Sequence, residues 1–254
     1  GIKICPGYWP AKGILEKLLF LLTLFLFVFI PLYPKFPLLN IKGPFVAIRL
    51  EDIFIAVTLA IWVIYLFLSN QWRIFLKDKL VLSILLFFFV AIVSTFAAIF
   101  LTHSVSAHLS FLHLLRRIEF ILLLPLVDFA VKSKKQMLTI LIFLAVVVIL
   151  VNIYALGQQY LDWPVISTSN SEFAKGLILK LTPDARVNST FAGHYDLAVF
   201  LAMTLVIITP LVFAVRKILK IPLLLLVIFS AIILMMTAAR VSFVAAFFGI
   251  IISL

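Results

Sequence analysis

From Ile221 to Leu254 the sequence carries a single charged residue, Arg240. A helix over that whole run would be about 50 Å long at about 1.5 Å per residue. The hydrocarbon core of a bilayer is only about 30 Å thick. The run must therefore break, and Thr237-Ala238-Ala239-Arg240, its only charged stretch, is where the break is expected. That predicts one span over Ile221–Met236 and another from Val241 onward. The same reading, about 20 apolar residues per crossing, finds earlier spans at Leu18–Tyr33, Ile53–Leu68, Leu80–Leu101, Leu109–Val131, Met137–Leu156 and Tyr195–Val215. Charges interrupt the one at Leu109–Val131. The expected fold is all-α: a polytopic membrane protein, a single transmembrane domain over residues 1–254. It would contribute about seven to eight transmembrane helices to a larger helical bundle.

Composition argues against a soluble alternative. Hydrophobic residues make up 65% of the chain and charged residues 12%, against about 45–50% and about 25% in soluble domains. A chain of this size in water must cover its surface with polar groups; a bilayer removes that demand. The 26 phenylalanines suit lipid-facing helices, since the ring fills space and carries no polar atom. The lone Cys5 rules out an internal disulfide. The sequence opens on Gly1 and stops inside an apolar run at Leu254, so it reads as a fragment of a longer protein. The first apolar run is long, lacks a small-residue cleavage pattern and is followed by further spans, unlike a signal peptide.

Lys and Arg in short loops set orientation. Lys3, Lys12 and Lys17 precede the first span; Arg73, Lys77 and Lys79 follow the second; Lys132, Lys134 and Lys135 follow the fourth; Arg216, Lys217 and Lys220 follow the sixth. These alternate correctly with the N-terminus in the cytoplasm. The outer side then holds the Pro34–Asp52 segment, the turn near His103, the long Gly157–His194 loop and the Arg240 turn.

On that assignment Lys35, Lys42, Arg49, Arg116, Arg117, Lys175, Lys180, Arg186 and Arg240 lie on the outer side or within the membrane. An arginine at membrane depth costs about 2.5–3.5 kcal/mol on insertion scales. Arg240 either snorkels to the headgroups or is held inside a buried corner. The small residues Ala238, Ala239, Ser242, Ala245, Ala246 and Gly249 around it favour close helix packing and the second reading. Arg186 stands before the sixth span, either as a solvated loop residue or as part of an anion site beside a helix N-terminus. Gly193 suits a tight turn there, and Ser189, Thr190 and Asp196 suit capping or ordering that turn. Arg116 and Glu119, three apart, can pair on one helix face. They form a structural ion pair, or one of Arg116 and Arg117 pairs with Glu119 while the other faces a cavity. His103, His108 and His113 are spaced around a helix and make no metal face. His194 is either a packing residue or, less simply, a general base. There is no Gly-rich phosphate loop, no HExxH and no paired-Cys motif, so neither metal nor cofactor is expected, and nothing points to a nucleic acid.

The segment Arg186-Val187-Asn188-Ser189-Thr190-Phe191-Ala192-Gly193-His194-Tyr195-Asp196-Leu197-Ala198, followed two spans later by Thr237-Ala238-Ala239-Arg240, resembles the O-antigen ligase and polymerase family. Ala239 stands where that family usually has Ser. Arg49-Leu50-Glu51-Asp52 and Leu115-Arg116-Arg117-Ile118-Glu119 are also similar to family segments. The resemblance implies transfer of a glycan from undecaprenyl diphosphate to an acceptor hydroxyl at the outer face of the bacterial cytoplasmic membrane. It implies that Arg186 and Arg240 hold the diphosphate without metal, with Arg116, Arg117 and Glu119 in support. It places the catalytic histidine in an outer loop beyond Leu254, with His194 the weaker candidate within the chain. The acceptor would be a lipid-linked core sugar, another glycan or a protein side chain. Two other readings stand beside it. One is a polytopic transporter or flippase of a lipid-linked or anionic substrate, and the other is a structural membrane subunit.

Overall fold

The computed structural model describes residues 12–39, 48–103, 105–166, 178–181 and 185–254. Lys3, Cys5, Lys42, Lys175 and Asp184 lie outside the described residues, as does much of the Gly157–His194 loop. The elements run α1 (Lys12–Leu32), β1 (Pro37–Leu39), β2 (Ile48–Arg49), α2 (Leu50–Leu68), α3 (Trp72–Phe75), α4 (Lys79–Phe100), α5 (Ala107–Ala130) and α6 (Lys134–Tyr160). They continue with β3 (Val165–Ile166), β4 (Ile178–Leu179), α7 (His194–Ala214), α8 (Lys217–Met236) and α9 (Arg240–Ser253). The strands form two short antiparallel ladders, β1 with β2 and β3 with β4. The chain is an all-α polytopic membrane protein.

Every span read from the sequence falls on a helix. Among the described residues, α1, α2, α4, α6, α7 and α8 are long and apolar enough to cross a membrane. The other two expected spans differ for separate reasons. Helix α5 has 24 residues, but Arg116, Arg117, Glu119 and Asp128 dilute its apolar character. Helix α9 is apolar but covers 14 residues. The lipid-facing character is plainest in α4, which buries Val81, Ile84, Phe88 and Ile99. It leaves Leu82, Leu86, Phe89, Val90 and Phe100 more than half exposed. An apolar face of that extent suits lipid and not water.

Local chemistry sets the helix ends. Asp78 caps α4 by accepting from the Leu80 N–H at 2.8 Å, satisfying one of the donors that every helix start leaves open. The expected break between α8 and α9 is present. Ala238 takes a left-handed φ of 53°, and the Thr237 hydroxyl donates back to the Leu234 carbonyl at 2.6 Å. Thr237 and Ala239 are buried.

The described residues fall into two compact units, one from Gly1–Leu26 and Leu50–Met137, the other from Phe27–Arg49 and Leu138–Leu254. In the first unit α5 packs against both α2 and α4. Its aromatic core sets Trp62 edge-on to Phe75 at 5.1 Å and Tyr65 edge-on to Phe129 at 5.4 Å. Glu16 Oε1 accepts from the Tyr65 hydroxyl at 2.8 Å and meets Lys132 Nζ at 2.8 Å. One carboxylate oxygen thus ties α1, α2 and the residues after α5 together.

In the second unit α7 packs against α8 and α9, around a core that includes Val148, Val151, Ala155, Leu197, Leu201, Leu205, Ile233 and Ala246. The close approach of α9 to α7 depends on Gly249. A Cβ built there would lie 2.5 Å from Val206 Cγ2. A small residue at this position lets the two backbones meet.

Candidate functional site

The segment between Arg186 and His194 is folded back on itself and pinned to the end of α6. Ser189 lies at its pivot with a left-handed φ of 52°, a conformation that costs a non-glycine residue about 1–2 kcal/mol. All three polar groups of Ser189 are engaged by α6. Its N–H donates to Gln158 Oε1 at 2.8 Å, its carbonyl accepts from Gln158 Nε2 at 2.9 Å, and its hydroxyl donates to the Val151 carbonyl at 2.7 Å. The Thr190 hydroxyl donates to the Pro31 carbonyl in the last turn of α1, a carbonyl left open by the helix end. Asn188 Nδ2 donates to the Phe191 carbonyl at 3.0 Å. Asn188, Ser189, Thr190 and Gln158 are all buried; these bonds pair the polar groups of Ser189 and the Gln158 amide, as burial demands, while Asn188 Oδ1 is left without a partner.

Of the two roles the sequence allows Ser189 and Thr190, capping or ordering the turn, they take the second: they reach other helices and do not cap α7. The N-cap is Gly193, without a side-chain cap bond. Nor is Gly193 the residue that requires left-handed freedom, since its φ of −155° is ordinary extended backbone. The left-handed position falls on Ser189, where hydrogen bonds to α6 offset the steric cost.

At the ends of the fold-back, Arg186 Nη1 lies 3.1 Å from His194 Nε2. Guanidinium nitrogens only donate, so His194 Nε2 accepts and the ring proton sits on Nδ1. While this bond stands, the Nε2 lone pair is occupied. Arg186 is exposed. Asp196, also exposed, lies in the first turn of α7, where a carboxylate complements the helix dipole.

Arg240 opens α9. The sequence suggested an arginine held inside a buried corner; the corner is buried, but Arg240 stands outside it, exposed. The reason is geometric. Thr237 and Ala239 occupy the packed side, and the chain that leaves the left-handed Ala238 carries Arg240 clear of it.

Helix directions place the two arginines at the same end of the second unit. Ser189 is bonded to the C-terminal part of α6. Asn152 Nδ2, about two turns before the end of α6, donates to Ser230 Oγ at 2.8 Å, about two turns before the end of α8. Helix α7 begins at His194, shortly after Ser189, and so starts beside the end of α6. Joined to α8 through Val215 and Arg216 and packed along it, α7 runs antiparallel to α8, whose end returns to that side.

The Arg116–Glu119 pair within one helix does not form. Arg116 Nη2 instead meets Asp52 Oδ2 at 2.8 Å, joining α5 to the first turn of α2. Both groups are largely withdrawn from solvent, with side-chain exposures of 26% and 14%, and a neighbouring helix offers the carboxylate more directly than a residue one turn along. Glu119 Oε1 is buried without a hydrogen-bond partner, within electrostatic reach of Asp52, Arg116 and Glu51. Arg117 is exposed. Among the described residues no group of three or more His, Cys, Asp and Glu could hold a metal ion.

Sequence reasoning missed Gln158, Asn152 and Ser230. The available signal was an amide or hydroxyl inside an apolar run, which in a membrane must find a partner. No family model, curated protein or solved structure matches the chain, so the functional reading rests on its residues and their geometry.

Proposed function

We propose that the chain is a glycosyltransferase of the O-antigen ligase and polymerase type. It moves a glycan from undecaprenyl diphosphate to an acceptor hydroxyl at the outer face of a bacterial cytoplasmic membrane, and its N-terminus is cytoplasmic. The observation that carries the reading is the placement of Arg186 and Arg240. Both are exposed, and both stand at the same end of an apolar helical unit. In the reaction the acceptor oxygen bonds to the anomeric carbon as the bond from that carbon to the diphosphate breaks. The bonding pair leaves with undecaprenyl diphosphate, and the acceptor proton passes to a base. Fixed guanidiniums beside the leaving diphosphate stabilise its growing charge, and their planar forks match phosphate oxygens in pairs. A phosphate that draws Arg186 away from His194 releases the Nε2 lone pair, so His194 is the base candidate of this unit.

The test uses the full chain in membranes with a lipid-diphosphate-linked glycan and an acceptor. Arg186→Ala and Arg240→Ala are each expected to lower turnover about a hundredfold or more, and the Lys variants to restore only part. Full transfer by either Ala variant sinks the assignment. The rival, a transporter or flippase of a lipid-linked substrate, draws support from the charges Glu51, Asp52, Arg116 and Glu119 inside the first unit, since ionisable groups within spans often line a substrate path. Release of free undecaprenyl diphosphate distinguishes the two, because transport leaves the glycosidic bond intact.

A further inference from the structure

We propose that Gln158 is a positioning residue for Arg186, an inference that rests on the transfer reading above. Gln158 is 1% exposed, and its amide acts in both directions on one residue, accepting from the Ser189 N–H and donating to the Ser189 carbonyl. The same Nε2 also donates to the Pro164 carbonyl at 3.1 Å, tying in the chain that leaves α6. Ser189 is the left-handed pivot that brings Arg186 back against His194. Without the amide, the steric cost of that conformation is no longer offset. The pivot relaxes towards ordinary backbone angles, and Arg186 loses its fixed direction.

Gln158 is itself held in place. The Trp163 ring lies over the preceding residue, so closely that a Cβ on Gly157 would fall 2.2 Å from Trp163 Cε3. Tyr154 reinforces this arrangement, with its ring centroid 5.3 Å from that of Trp163 and its hydroxyl donating to the Pro164 carbonyl at 2.9 Å. The end of α6 is a stiff bracket, and Gln158 is the arm that reaches from it to the turn. Gln158 has no contact with the lipid diphosphate in this scheme and acts only through Ser189.

Gln158→Leu keeps the volume and removes the amide. With the full chain in membranes, turnover is expected to fall about a hundredfold, as a misplaced catalytic group requires, while KM for the lipid-linked donor changes little. Adding Gln158→Leu to Arg186→Ala should cause no further loss, because the two act on one group. A core residue that only supports the fold gives the opposite pattern, with losses that add; that result, or a change confined to KM, overturns the proposal.

A second measurement does not depend on transfer. With Cys5 replaced, a spin label is attached at Arg186→Cys, with Met203→Cys on α7 as control. Gln158→Leu should loosen the label at 186 and leave the one at 203 unchanged. A label at 186 that keeps its mobility refutes the positioning role. A wild-type chain without transfer activity instead refutes the reading beneath it, and the label then decides the role of Gln158 alone. Gln158→Asn, which keeps the amide but withdraws it by one methylene, serves if the Leu variant does not accumulate. Failure of both to accumulate, while Arg186→Ala does, makes Gln158 a core residue only and overturns the inference.

Discussion

In the first unit, charged side chains meet one another across helices: Arg116 with Asp52, and Lys132 with Glu16, whose carboxylate also holds Tyr65. In the second, neutral groups make the links among α6, α8 and the turn before α7. Gln158 and Ser189 join the turn to α6, Thr190 joins it to α1, and Asn152 joins α6 to α8. The arginines of the site, Arg186 and Arg240, remain exposed. The difference bears on function. Withdrawing charges from water is expensive and demands a partner, so a charge spent on packing is held by that partner. In the second unit Lys35 is buried against the Ile30 carbonyl and Lys180 meets Asp162, but the links among α6, α8 and the turn are amides and hydroxyls and leave Arg186 and Arg240 open to a ligand.

The largest test of this contrast is Asp52→Ala. It leaves Arg116 partly buried without its 2.8 Å partner, and the expected loss is about 3 kcal/mol, read as a lower unfolding midpoint in detergent. Arg116→Leu with Asp52→Leu should recover most of that loss. Glu119→Ala should be milder than Asp52→Ala, because Glu119 is not the ion-pair partner of Arg116. An equal loss for the two restores the pairing within α5 and breaks the contrast.

Gly157→Ala comes next. The new methyl group collides with the Trp163 ring, and overpacking of this kind costs about 1–3 kcal/mol. The melting temperature of the purified chain should fall accordingly, and a smaller residue in place of Trp163 should relieve most of the drop. An unchanged melting temperature means the end of α6 is not the stiff bracket described.

Asn152→Leu probes the neutral interior directly. Side-chain hydrogen bonds between membrane helices average about 0.6 kcal/mol in mutant cycles, so the loss should be well below that of Asp52→Ala. A loss as large as that of the ion pair erases the distinction between the units. Ala238→Gly is the smallest effect and has the opposite sign. Relief of the left-handed conformation gains about 1–2 kcal/mol, glycine entropy takes back about 0.5–1 kcal/mol, and a slight rise in unfolding midpoint should remain.

The helices were legible because bilayer thickness imposes a length that apolar runs reveal without any partner. The break at Thr237–Arg240 was legible for the same reason, as no single helix could span the run from Ile221 to Leu254. The exposure of Arg240 was not, although its neighbours pointed to a packed corner. Small residues mark where helices approach but not which way the chain turns between them, and that direction came from one left-handed residue, Ala238. The partner of Arg116 was misread on similar grounds. A spacing of three residues shows what can meet on one helix, whereas Asp52, far off in sequence, competes only once α2 and α5 are packed.

The sequence by itself determined the class of environment, the position of each long apolar helix and the arginines at the starts of α7 and α9. These follow from local composition and from the cost of placing polar backbone and charge in lipid. Only the tertiary structure decided that Asp52 holds Arg116, that Ser189 and not Gly193 carries the left-handed turn, and that Gln158 clamps it. Each of these is a choice among several polar partners. Such choices depend on distances between segments remote in the chain, which no local pattern of residues encodes.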